Sequence, residues 1–162
     1  MTNIIVDPDE KRVLDLTSIV TFDLQVILFE RSTLKVYGAW NLDKQNICGK
    51  LKIIHRGRHS TSKVIFKSVL NNQSVVDLDC SIIIEKQSDK SLADLQFRQL
   101  VLDNSSNVKT KPNLWIYHDD VKCTHGSATS GISPSHLEYF LSRGLSIIES
   151  QKLIVDGFLG EN

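Results

Sequence analysis

The sequence has no surplus of charge of either sign: 19 lysines and arginines balance 19 aspartates and glutamates, for a formal net charge of 0. A chain-wide polyanion-binding surface is therefore excluded, and any contact with nucleic acid or an anionic membrane would have to be local. No apolar run approaches the roughly 20 residues that cross a bilayer. Met1 to Asp7 lacks the basic start and apolar block of an export signal. The expectation is a cytoplasmic protein with neither nucleic acid nor membrane as a partner. Cysteine is scarce, with Cys48, Cys80 and Cys123 odd in number and distant from one another, which argues against a secreted disulfide framework. A phosphate-binding loop is also missing, because Gly49 and Lys50 are followed by Leu51 where Ser or Thr is required. At 162 residues the chain is too short for two independent domains and fits one domain with an appendage.

What the chain does have is a rhythm of strand-like runs and polar turns. The runs are 12–16, 19–30, 34–40, 50–55, 63–70, 74–85, 95–103 and 114–123, separated by turn chemistry such as Asp7-Pro8-Asp9, Arg31-Ser32-Thr33, Asn41-Leu42-Asp43 and Asn71-Asn72-Gln73. Within them the period is two. Val64, Phe66, Ser68 and Leu70 share a face, as do Val76, Leu78, Cys80, Ile82 and Ile84, with Asp77 and Asp79 opposite. Cys80 accordingly reads as core, and Cys48 as core or turn. The spacing of turns suits a sandwich or stacked solenoid coils, and no repeat consensus decides between them.

After Gly131 the period becomes helical. Ser133 is a natural N-cap and Pro134 a natural first residue for a helix ending near Arg143, stopped by Gly144, with Leu137, Phe140 and Leu141 as its apolar stripe. Ser146 and Glu149 form a capping box for a second helix, whose apolar face is Ile147, Ile148, Ile154, Val155, Phe158 and Leu159 up to Gly160. Two such short helices are not stable alone and must dock on the β body or on another protein.

The stretch from Asp119 to Gly126 sits where the two textures meet. Asn113 to His118 reads as a strand, and continuing it sends Cys123 and His125 out of one face. Thiol and imidazole suit iron and zinc, yet they are two donors where zinc or an iron-sulfur cluster takes four. One chain cannot finish such a site. An imidazolium beside Cys123 would also make its thiol more reactive. The competing reading packs Cys123 under the helices and bonds His125 to a carbonyl. Elsewhere, His55, Arg56, Arg58 and His59 form a basic turn, with Arg56 and Arg58 able to hold an anion or simply solvated. His118, Asp119 and Asp120 read as a strand-end turn, and His136 as surface. Asp77 and Asp79 are the only paired acids for a carbohydrate-active enzyme.

Several strings resemble the SufB/SufD family of iron-sulfur cluster assembly. They are His55-Arg56-Gly57-Arg58-His59-Ser60, Val108 to Pro112 with Leu114, Ile116 and Tyr117, Asp119 to Gly126, Leu137 to Gly144, and Leu153 to Phe158. They occur in the family's order. Asp-Asp-Val-Lys-Cys-Thr-His-Gly is similar to the SufD branch. The likeness covers Lys50 to Glu161 well and the first fifty residues loosely; family members are usually far longer. The resemblance implies a mainly β protein, a right-handed parallel β-helix over 1–126 followed by a small helical domain over 127–162. It further implies a non-catalytic scaffold that pairs with SufB through the β-helix. By the same resemblance it is expected to dock the ATPase SufC through helices carrying Leu137, Tyr139, Phe140, Arg143, Ile154 and Phe158. By the same likeness Cys123 and His125 meet a transient cluster or iron at a shared interface, with none tightly bound in the isolated chain, which is expected to form homodimers. The alternatives are a β-helix carbohydrate-active enzyme and a metal-free homodimeric interaction module.

Overall fold

Asp9, Arg31, His59 and Lys90 adopt left-handed φ values of 62°, 54°, 55° and 55°, and they mark one corner of a stacked coil. Each such residue would ordinarily be strained. Here each backbone N–H reaches a carbonyl one coil further on: Asp9 to Glu30, Arg31 to Arg58 and His59 to Asp89, all at 2.9 Å, and Lys90 to Asp120 at 2.6 Å. The corner thus repeats because every turn is closed by the next.

The structure is a computed structural model that describes residues 1–160. Ten strands alternate between two sheets: β1 (Thr2–Val6), β3 (Thr21–Leu28), β5 (Asn46–His55), β7 (Val75–Ile84) and β9 (Asn107–Ile116) in one, and β2 (Lys11–Asp15), β4 (Thr33–Asp43), β6 (Thr61–Asn71), β8 (Leu92–Val101) and β10 (Lys122–Ser130) in the other. Every pairing is parallel and in order along the chain, which makes a β-solenoid of about 4 turns. Two helices follow, α1 (Pro134–Ser142) and α2 (Ile147–Gly160). Glu161 and Asn162, the end of the expected 127–162 segment, lie outside the described residues.

The register stacks like positions on like. Gly38, Phe66, Phe97 and Ser127 form one inward row, and Val36, Val64, Leu95 and His125 another. Phe66 is buried between Phe22, Trp40 and Phe97, with ring centroids 5.9, 5.4 and 6.0 Å away. Such a ring contributes roughly 1.5–3 kcal/mol by burial. On the opposite face of β7, Asp77 pairs with Lys109 at 3.2 Å and Asp79 with Lys111 at 3.9 Å. Those acids therefore belong to cross-strand ion pairs on an exposed sheet face rather than to an acid–base couple in a groove.

The second helix docks on the β body, and α1 packs against α2. Val155 of α2 packs on Val69 and Leu100, which point outward from β6 and β8, with Ile154, Phe158 and Leu159 around it. The capping box is present: Ser146 N–H donates to Glu149 Oε2 at 2.9 Å and Glu149 N–H to Ser146 Oγ at 3.3 Å. Gly144, at φ 87°, ends the first helix. Ser133 does precede α1, but its Oγ bonds Ser135 Oγ at 2.8 Å and makes no cap.

Four expectations are corrected. Asn41-Leu42-Asp43 is strand, because Leu42 is buried in register with Leu70 and the turn waits for Lys44 at φ 53°. The run 114–123 is two strands in opposite sheets, split by a turn that Asp120 N–H closes onto His118 Nδ1 at 3.0 Å. Cys48 is exposed, on the outer face of β5 in register with Asp77. His55 is no solvated turn residue: it ends β5 in the inward row between Leu28 and Ile84 and is fully buried.

The His55 ring contacts Ser60 Oγ through Nδ1 and Ser62 Oγ through Nε2, both at 2.8 Å. Ser60 and Ser91 hydroxyls meet at 2.9 Å, and Ser88 Oγ donates to the His55 carbonyl at 2.7 Å. Burial disfavours the imidazolium and pushes the His55 pKa down from 6.5 to about 4. The unfolded chain therefore takes up a proton that the folded chain refuses across this interval. The stability tied to His55 is full above pH 6.5 and is lost as pH falls toward 4, by about 1.4 kcal/mol per unit. Urea unfolding at stepped pH checks this. The wild type should weaken through that window, and a His55→Leu chain, matched to its aliphatic row, should lose the His55-linked part of the slope.

Candidate functional site

The inward rows change character at the last coil. On the β10 side, Ala93, Leu95, Phe97 and Gln99 of β8 are succeeded by Cys123, His125, Ser127 and Thr129. On the β9 side, Leu78 and Cys80 of β7 are succeeded by Thr110 and Pro112. Residues of these rows are buried in β8 and β7, whereas His125 and Ser127 are exposed, because no coil follows β9 and β10 among the described residues. The same pleat that builds the core thus delivers thiol, imidazole and hydroxyls to an open end.

Backbone phase determines what else lies there. Asn107 N–H donates to Ser74 and Tyr117 N–H to Ile84, so the odd-numbered amides of β9 face β7. Pro112 is in the opposite phase. Its carbonyl faces the free edge, and its missing N–H costs the sheet nothing, which is where a strand tolerates proline. On β10, Lys122 N–H donates to Ser91, so the backbone of Cys123, His125 and Ser127 faces the free edge too. Side chains bridge the two strands there: His125 Nδ1 lies 3.2 Å from the Pro112 carbonyl, and Thr110 Oγ1 lies 2.9 Å from Ser127 Oγ.

Cys123 and His125 do lie on one face, though on a new strand and not a continuation of β9. Cys123 is half-buried against the β core and not beneath the helices. Desolvation pushes its thiol upward, opposite to the activation expected from a neighbouring imidazolium. Among the described residues no three His, Cys, Asp or Glu side chains gather into a metal-holding group. The open end therefore offers two donors at most from one chain.

The other residues singled out are dispersed. Arg58 makes a two-pronged contact with Asp89 at 2.6 and 2.9 Å, and Arg56 pairs with Glu85 at 3.3 Å, so both guanidiniums are already engaged on neighbouring turns. Ile154 and Phe158 face the chain's own sheet. Leu137 and Phe140 are half-buried, while Tyr139 is exposed with Arg143 5.4 Å over its ring. The exposed apolar helix residues are instead Tyr139, Leu141, Ile147, Ile148 and Leu153, with Ile148 79% exposed.

The model of the family "SUF system FeS cluster assembly, SufBD core domain" matches residues 18–158. The chain belongs to the SufBD family. An iron-sulfur cluster assembly SufBD family protein of Galdieria sulphuraria is 32% identical over 110 residues, 68% of this chain and 50% of that protein. The SufD protein of Escherichia coli (strain K12) is 26% identical over 133 residues, 82% of this chain and 31% of that protein. A SufBD family protein of Porphyra purpurea is 33% identical over 107 residues, 66% of this chain and 22% of that protein. This SufBD chain thus matches half or less of the length of these relatives. No helix among its described residues is long and apolar enough to cross a membrane.

Sequence reasoning did not find Pro112, Thr110 or Ser127 as members of this end. The available signal was a proline inside a β run, which marks an edge strand. The burial pattern predicts an order of thiol alkylation in the native SufBD chain: exposed Cys48 first, half-buried Cys123 next, buried Cys80 last. Mass spectrometry of a time course measures it, and Cys123 reacting ahead of Cys48 would contradict the burial described.

Proposed function

We propose that this chain is a non-catalytic scaffold component of a Suf complex that assembles iron-sulfur clusters. Membership of the SufBD family supports the process. The observation that carries the scaffold role is the pairing of Cys123 and His125 on the free end of the solenoid, where inward rows that are otherwise buried meet solvent. Two donors on an unpaired edge make half a site. Iron and the nascent cluster are the cargo, held transiently while a partner contributes the remaining ligands.

The partner in this reading is a SufB-type subunit that adds to the free edge of β9 and β10, since unpaired parallel strands are templates for another chain. In its absence a second copy takes the same place, which gives the homodimer. The ATPase SufC docks on the helical segment through the exposed Tyr139, Leu141, Ile147, Ile148 and Leu153. Ile154 and Phe158 support that surface from below by anchoring α2 to the sheet. The complex is cytoplasmic in this proposal. The ion pairs on Asp77 and Asp79 give the carbohydrate-enzyme alternative no acid–base couple.

Anaerobic reconstitution tests this reading. The chain, mixed with a SufB-type partner and SufC, is supplied with ferrous iron and sulfide, and cluster absorbance is followed. His125→Ala should lower the cluster yield at least several-fold, and Cys123→Ala should lower it less, because that thiol is half-buried and harder to ionise. Wild-type absorbance in both variants would overturn the ligand assignment and favour a metal-free interaction module.

A further inference from the structure

A carbonyl oxygen can only accept, so the 3.2 Å contact between His125 and Pro112 requires the proton to be on Nδ1. In the neutral ring the lone pair then sits on Nε2, on the side of the imidazole away from β9. Among the described residues no hydrogen bond engages Nε2. We propose that the Pro112 carbonyl is a positioning group: it fixes His125 as the Nδ1–H tautomer and presents Nε2 as the atom that takes a borderline divalent metal. This rests on the half-site reading above and adds which atom binds and what orients it.

Three features converge on this role. Pro112 stands in the edge-facing phase of β9, so its carbonyl is not consumed by β7. A proline also offers no N–H there to an added strand. The Thr110–Ser127 hydroxyl contact at 2.9 Å, one inward position along both strands, holds β9 and β10 together beside the imidazole. Histidines that ligate metals characteristically donate their other ring N–H to a carbonyl or carboxylate, and loss of that partner weakens metal affinity by about 10- to 100-fold. In this chain the arrangement exists before any metal arrives.

The test uses the full chain with two isosteric substitutions at position 125, Nδ1-methylhistidine and Nε2-methylhistidine, and cobalt(II) as the probe metal. Nitrogen-15 spectra of the unsubstituted chain should report the Nδ1–H tautomer for His125. Cobalt binding should fall roughly 10- to 100-fold with the Nδ1-methyl ring, which keeps the ligating nitrogen but loses the carbonyl. It should vanish with the Nε2-methyl ring. An Nε2–H tautomer, or cobalt affinity unchanged by Nδ1 methylation, would overturn the proposal while leaving His125 as a ligand. A wild-type chain that binds no cobalt would overturn the half-site and this proposal together.

Discussion

Parallel stacking constrains everything else in this molecule, because each coil satisfies its backbone only through the coils beside it. Phe66 is stacked in register with Phe97 of the next coil, and His59 can hold a left-handed φ only because Asp89 of the following turn accepts its N–H. A lattice of this kind has no intrinsic stop. At β9 and β10 the strands present alternate N–H and C=O groups to nothing that is described, and the rows that carried leucine and phenylalanine carry histidine and serine. An end left unpaired in backbone and polar in side chain is suited to a reversible partner, since neither feature stabilises the isolated fold.

The same constraint explains why the end is chemically usable. A histidine deep in the stack, His55, is pinned by two serines and driven neutral by burial. His125 also points inward but stands on the edge strand β10, where solvent reaches it and its contact is a single carbonyl. The difference lies in how many coils cover each ring, not in the local residue type. Cys123 falls between these extremes, touching the core and losing part of its hydration, so its thiol is less ionised than a free one.

Much of this was legible in the sequence because it depends on local periodicity. The alternation in 64–70 and 76–84 located the inward rows, and Ser146 with Glu149 located the start of α2. What was not legible depends on contacts between coils. β1 escaped notice because its burial comes from pairing with β3, and Leu42 passed as a turn residue although Leu70 beside it makes the position core. His118 to Asp120 did read as a strand-end turn, as found, but the run 114–123 was still drawn across it, because Trp115, Ile116 and Tyr117 lead into the break without glycine or proline. His55 was taken for a solvated neighbour of two arginines, since nothing local reveals that Ser60 and Ser62 return to meet it. The string from Asp119 to Gly126 gave the donors, but only the register showed that they terminate buried rows.

In the proposed complex the β9–β10 end is completed by another chain. Hydrogen exchange at single amides tests it most directly, with the full chain measured alone and mixed with a SufB-type partner. The amides of Cys123, His125 and Ser127, which face the free edge, should exchange fast alone and become protected in the mixture, while that of Lys122, already bonded to Ser91, changes little. A complex that forms with those three amides still exchanging freely would contradict the account.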